Sequence, residues 1–191
     1  MHPAVVTAVL LLVGTINTMT AWSTNDVEDI CMQQILDSCS GGCMEEDDEW
    51  IRLDKDRCMK YFEIPKTFQE AEDYCHSVNA ELVSIHNEEE NILVMCLSFN
   101  SGLNRHPFWI GGKRSGGGFK YTDGSKFDYA RWLPNQPDNH LRKECCVEMN
   151  AIDWGSWNDN RCSGKKDFVC QKRASSSPAD VCLHISNQPI N

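Results

Sequence analysis

Five oxygen-bearing side chains fall in two short clusters toward the C-terminal end of the chain. Gln136 and Asp138 flank Pro137, Glu144 follows shortly after, and Asn158-Asp159 come directly after Trp157. Carboxylates mixed with amide carbonyls, without sulfur or imidazole, are the donor set that a hard cation such as Ca2+ prefers. The three carboxylates outweigh a double positive charge, so the centre stays slightly anionic and still accepts neutral hydroxyl oxygens. The stretch is therefore a candidate for calcium-dependent sugar binding. Enzyme chemistry finds no comparable support. There is no Gly-x-Ser-x-Gly and no His-Glu-x-x-His, and His86 with Glu88, Glu89 and Glu90 reads as a helix start rather than acid/base machinery.

These side chains need a frame, and residues 50–173 have the texture of one compact domain of ordinary size. Thr67 with Glu70 makes a capping box, after which Phe68, Ala71 and Cys75 share a helical face. Asn87 followed by three glutamates predicts a second helix, with acids at the positive end of its dipole and Ile92, Leu93, Cys96 and Leu97 as its apolar side. Short strands are expected at 82–85, 109–110, 146–149 and 168–170. The segment 111–139, rich in Gly, Pro, Asp and Asn, reads as mostly loop, and a loop that long is uncommon unless it is functional. Trp109, Trp132 and Trp157 are assigned to the core.

The flanks bound the compartment. An apolar run of eleven residues from Ala4 to Gly14 is too short for a bilayer and suits a secretory signal peptide over 1–21, cleaved near Ala21, although its n-region has only His2. No later stretch is apolar enough for a membrane span, so the mature chain reads as secreted and extracellular, with no membrane insertion. Eleven cysteines then imply disulfides. A zinc site would need partners that Cys39 and Cys43 lack. The odd count leaves at least one cysteine free or bonded to another chain. Residues 22–49 form an acidic segment: nine acids and no Lys or Arg lie between 26 and 49, and removing them from the total of 28 leaves 19 acids against 18 bases. The net charge of -10 thus belongs to the N-terminal segment and argues against nucleic acid. A solvated spacer and a cation-binding or partner-binding segment both fit it. Residues 174–191 are a Ser- and Pro-bearing tail with Cys182.

Tyr74-Cys75, Ala80-Glu81-Leu82-Val83-Ser84-Ile85-His86, Trp109-Ile110-Gly111-Gly112, Gln136-Pro137-Asp138-Asn139, Trp157-Asn158-Asp159 and Phe168-Val169-Cys170 resemble, in order and spacing, a C-type lectin domain covering about 50–173. Within that family the chain looks most like secreted galactose-type lectins and type II antifreeze proteins of fish. The resemblance implies an α+β C-type lectin-like fold, two helices flanking short antiparallel sheets with a long irregular calcium- and ligand-binding loop, stapled by disulfides. It implies the pairs Cys75–Cys170, Cys146–Cys162, Cys43–Cys58 and Cys96–Cys145. Cys31, Cys39 and Cys182 are left for one more pair and an intermolecular bridge, so a disulfide-linked homo-oligomer is one expectation, with Val27, Ile30 and Ile35 as apolar positions for the contact.

Carried over by motif, Gln136, Asp138, Glu144, Asn158 and Asp159 match the family's principal calcium site, with Pro137 cis. One Ca2+ is expected. A second site is not, because Gly112-Lys113-Arg114 and Cys145 stand where that site takes its acids. The ligand is expected to be a glycan, held through two neighbouring hydroxyls by the metal and by Gln136, Asp138, Glu144, Asn158 and Asp159, with His140 beside them. Gln-Pro-Asp resembles the galactose-type signature, but His140 stands where galactose binders carry a stacking aromatic; Trp154 could substitute from the neighbouring loop, and a core or loop-packing role fits it equally. A single sugar in so open a site binds on the order of millimolar, about -4 kcal/mol, so useful binding needs several sites per assembly. By family analogy the role is recognition of microbial glycans in innate immunity. The rivals are an ice-binding protein of the type II antifreeze kind and a calcium-stabilised protein-binding module without sugar binding.

Overall fold

Thr67 opens the first long helix, α1 (Phe68–Ser77), with the box expected of it. Its hydroxyl accepts the Glu70 N–H, and the Glu70 carboxylate accepts the Thr67 N–H. Phe68, Ala71 and Cys75 are its buried face. Asn87 starts α2 (Glu88–Asn100), its side-chain oxygen accepting the Glu90 N–H at 2.9 Å. The buried side of α2 is partly rotated from the expected one: Cys96 and Leu97 are buried as expected and Val94 and Met95 join them, whereas Ile92 and Leu93 are only half-buried. Asn91 accounts for the rotation. Fully buried, its amide donates to the Gly155 carbonyl at 3.0 Å and accepts the Trp157 indole N–H at 2.8 Å.

This computed structural model describes residues 27–31, 43, 50–100 and 106–174. The signal-peptide run, most of the acidic segment, Ile35, Cys39, Cys182 and the C-terminal tail lie outside the described residues. Eight strands make one sheet: β1 (Ile51–Arg52), β2 (Arg57–Lys66), β3 (Glu81–Leu82), β4 (Phe108–Ser115), β5 (Gly118–Tyr121), β6 (Cys146–Met149), β7 (Trp157–Asn160) and β8 (Lys166–Arg173). Their order is β1-β2-β8-β4-β6-β7, with β3 added to β8 and β5 to β4. Pairing is antiparallel except between β4 and β8, which run parallel. Alternate residues feed two apolar clusters. Trp109 and Cys146 join Phe68 and Phe168, while Ile110 and Val147 join Met95 and Trp157.

The expected loop over 111–139 is partly strand. β4 continues through Gly111 and Gly112 to Ser115 and returns as β5, turning at Gly116-Gly117 with φ of +59 and +88, the signs a two-residue hairpin turn requires. A Cβ on Gly112 would sit 2.6 Å from Val147 Cγ2. The glycines that looked like loop residues therefore let β4 press against β6. From Thr122 to Asn139 the chain is irregular apart from one bridge between Trp132 and Trp157.

Disulfides join Cys75 to Cys170, Cys146 to Cys162 and Cys43 to Cys58. The Cys96–Cys145 pair does not form. Cys96 bonds Cys31, and Cys145, half-buried, has no disulfide partner among the described residues. Residues 27–31 are helical and drive Val27 and Cys31, both 0% exposed, into the cluster beneath α2, which brings the Cys31 Cα to 5.1 Å from that of Cys96. Val27 is thereby a core residue of its own chain rather than a surface position for linking two.

Candidate functional site

The irregular segment ends at Gln136-Pro137, whose peptide bond is cis, a state tolerable only before proline. Beyond it, Asp138, Glu144 and Asp159 each bring a carboxylate oxygen to within 4.8 Å of the others. They come from three places: the turn after the proline, the approach to β6, and the middle of β7 at the edge of the sheet. Trp157, fully buried, fixes that edge. Its N–H donates to the Arg131 carbonyl at 2.7 Å and its carbonyl accepts the Leu133 N–H at 2.9 Å, so the irregular segment runs along the outer side of β7. Backbone groups alternate along an antiparallel strand. Asp159, two residues on, thus presents its own carbonyl toward the same outer edge.

Asp159 is 0% exposed and heavily partnered. One carboxylate oxygen accepts the Asp138 N–H at 3.0 Å; the other accepts the Asn139 N–H at 3.0 Å and Arg114 Nη2 at 2.5 Å. The Arg114 guanidinium is itself fixed, with Nε donating to the Glu144 carbonyl at 3.2 Å and the group lying 4.6 Å over the Phe119 ring. In the sequence Arg114 stands out only as the absence of an acid. No local signal links positions 114 and 159. The registers Lys113↔Cys146 and Val147↔Asp159 bring them together across three strands.

Asp138 and Glu144 are tied through one donor, the His140 N–H, at 2.9 and 3.0 Å. Burial, with the negative charges of Asp159 and Asp138, pushes the Glu144 carboxyl above its ordinary range despite the His140 hydrogen bond. A bound cation relieves that repulsion. The turn that makes this arrangement is strained: Asn139, Leu141 and Arg142 have φ of 48, 54 and 58, a left-handed conformation that costs an L-residue roughly 1–2 kcal/mol. The donor chemistry at the three gathered positions is all carboxylate oxygen, which fits calcium.

The two amides are placed differently. Gln136 Oε1 accepts the Asp138 N–H at 3.0 Å. Asn158 alternates to the other face of β7, where its Nδ2 donates to Glu148 Oε1 at 2.8 Å, an acceptor shared with Asn160 at 3.0 Å, while Lys166 pairs with the other Glu148 oxygen at 2.8 Å. His140 is exposed on the rim. Trp154 is 4% exposed and packed in the core, so it offers no face for a sugar.

One further arrangement imitates a hydrolase. His86 Nδ1 lies 2.7 Å from Asp128 and Nε2 lies 3.2 Å from Ser84 Oγ, the order of a nucleophilic triad. Ser84, however, is 1% exposed, and its oxygen accepts from Arg57 at 3.1 Å and Gln171 at 3.0 Å. A hydroxyl so enclosed meets no substrate, and the cluster is structural.

A family model described as "Lectin C-type domain" matches residues 64–172. The chain is similar to C-type isolectin Sp-CL4 of Scorpaena plumieri, 47% identical over 140 residues that make up 73% of this chain and 92% of that protein. It is also similar to the galactose-specific lectin nattectin of Thalassophryne nattereri, 36% identical over 119 residues, 61% of this chain and 74% of that one. Among solved structures, a calcium-independent type II antifreeze protein superposes with a TM-score of 0.59 at 28% identity, covering 67% of this chain and 94% of that one.

Proposed function

The chain belongs to the C-type lectin family, and from that premise we propose that it is a secreted, calcium-dependent carbohydrate-binding protein with one calcium site and a galactose-type preference. One observation carries the reading: the convergence of Asp138, Glu144 and Asp159 within 4.8 Å behind a cis Gln136–Pro137 bond. Gln136, Asp138, Glu144, Asn158 and Asp159 would hold the ion. When bound, Ca2+ supplies open coordination positions for two neighbouring hydroxyls of a sugar. The side chains do the discriminating, since carboxylates accept from those hydroxyls and amide nitrogens donate to them. Glu148 engages the Asn158 nitrogen on the other face of β7, so Asn158 would reach the ion only by its oxygen. The amide at Gln136 and the acid at Asp138 support galactose, as does the likeness to a galactose-specific lectin. His140, on the rim, borders the sugar.

Residues 50–173 act as the lectin domain in this reading, with 1–21 a signal peptide, 22–49 an acidic segment and 174–191 a tail. The four disulfides among the described residues support an oxidising route, and no helix among those residues is long and apolar enough to cross a membrane. Microbial glycans are the proposed targets, and the cysteines outside the described residues are candidates for linking chains.

A glycan array read with calcium and with EDTA tests the site. Wild type is expected to retain galactosides only with calcium, and Gln136→Glu/Asp138→Asn to move preference toward mannose by about tenfold, ~1.4 kcal/mol. Sugar retention by neither form would sink the reading.

Likeness to an antifreeze protein favours ice binding as the second reading. Leu141, Arg142 and Lys143, all exposed beside the site, set a bulky apolar side chain and two long, hydrated ones where an ice surface calls for flat, short ones. Freezing-point measurements are therefore expected to show no thermal hysteresis; clear hysteresis would replace the lectin assignment.

A further inference from the structure

The loop bearing the proposed ligands is fastened to the sheet by a cation that belongs to the protein. Asp159 is a fully buried carboxylate, and a buried charge left unpaired is strongly unfavourable. The chain answers that with Arg114. Its guanidinium meets Asp159 at 2.5 Å, the Glu144 carbonyl at 3.2 Å and the Phe119 ring at 4.6 Å. One side chain thus touches β5, β7 and the approach to β6. Asp159 passes the restraint on by accepting the Asp138 and Asn139 N–H groups, the two residues that lead the ligand turn away from the cis proline.

We propose that Arg114 is a positioning residue, a fixed internal cation that keeps the 136–144 loop docked on β7 whether or not calcium is bound. Charge counting agrees. Asp138, Glu144 and Asp159 carry three negative charges and Arg114 returns one, so a divalent ion leaves the centre neutral rather than slightly anionic as the three carboxylates alone imply. The second cation in this count rests on the calcium reading above; the docking by Arg114 does not. Calcium and sugar then leave an already shaped site, and the loop does not refold at each binding event.

Amide hydrogen exchange of Asp138 and Asn139, followed in EDTA and in calcium, tests this directly. Wild type in EDTA is expected to protect both amides nearly as well as in calcium. Arg114→Ala in EDTA is expected to lose about tenfold or more of that protection, because local opening sets the exchange rate, and calcium is expected to return part of it. Arg114→Lys restores the charge but not the planar fork, and falls between. Exchange in wild-type EDTA samples as fast as in Arg114→Ala, or no change in Arg114→Ala, overturns the proposal. Should the alanine variant fail to fold, Arg114→Lys decides alone: faster exchange at both amides supports the role and unchanged exchange overturns it. If calcium protects no variant, wild type included, the calcium reading fails while the EDTA comparison still judges Arg114.

Discussion

Asp159→Ala is expected to abolish calcium binding and, in the same stroke, to destabilise the domain even in EDTA. The second effect separates this position from an ordinary exposed ligand. Asp159 is 0% exposed and accepts from Arg114 and from two backbone N–H groups. Removing it strands a guanidinium that is 23% exposed together with both amides. Breaking one side of a buried pair costs about 3–5 kcal/mol, which for a domain of this size lowers the melting temperature by roughly 10 °C or more. Calorimetry would check the metal and thermal melts in EDTA the stability. Arg114→Met/Asp159→Ala should recover much of the loss, since an apolar pair of similar shape often replaces a buried ion pair at little cost, yet it should not recover calcium binding. An Asp159→Ala variant that melts in EDTA like wild type would show that the Arg114 pair contributes nothing.

Removing the Cys31–Cys96 bridge as Cys31→Ser/Cys96→Ser is expected to be the other large loss. The bridge spans a sequence separation of 65, and on the chain-entropy model closing such a loop stabilises the fold by about 4 kcal/mol. Its loss also loosens Val27 from the cluster beneath α2. Denaturant melts should show a lower midpoint, and non-reduced peptide mapping of the wild type should recover the Cys31 and Cys96 peptides as one species. A Cys96–Cys145 species in that map would refute the pairing. The acidic segment is consequently more than a spacer at its start, because 27–31 is built into the core.

The features legible in the sequence were those whose partners lie close along the chain or belong to a recognised order of motifs. Thr67 with Glu70 and Asn87 with Glu90 cap their helices because the bond closes over three residues. Trp109, Trp132 and Trp157 were assigned inward by type, and Trp109 and Trp157 are fully buried while Trp132 packs against the core from a half-buried position. The β4–β5 hairpin was hidden because its glycines have two meanings, loop flexibility or close strand packing, and only the Val147 side chain beside Gly112 chooses between them.

By the order of its motifs the sequence showed its resemblance to the family, and by its residue types the oxygen chemistry of its candidate site. Local hydrogen bonds, side-chain type and motif order carry those properties wherever the chain folds. The tertiary structure alone decided that Cys31 rather than Cys145 meets Cys96, that Asn158 turns its nitrogen to Glu148, that Trp154 is core, and that Arg114 stands behind Asp159. Each of those depends on strand register and helix rotation across tens of residues. There a single contact is chosen by how whole elements pack, and no short-range spacing records the choice.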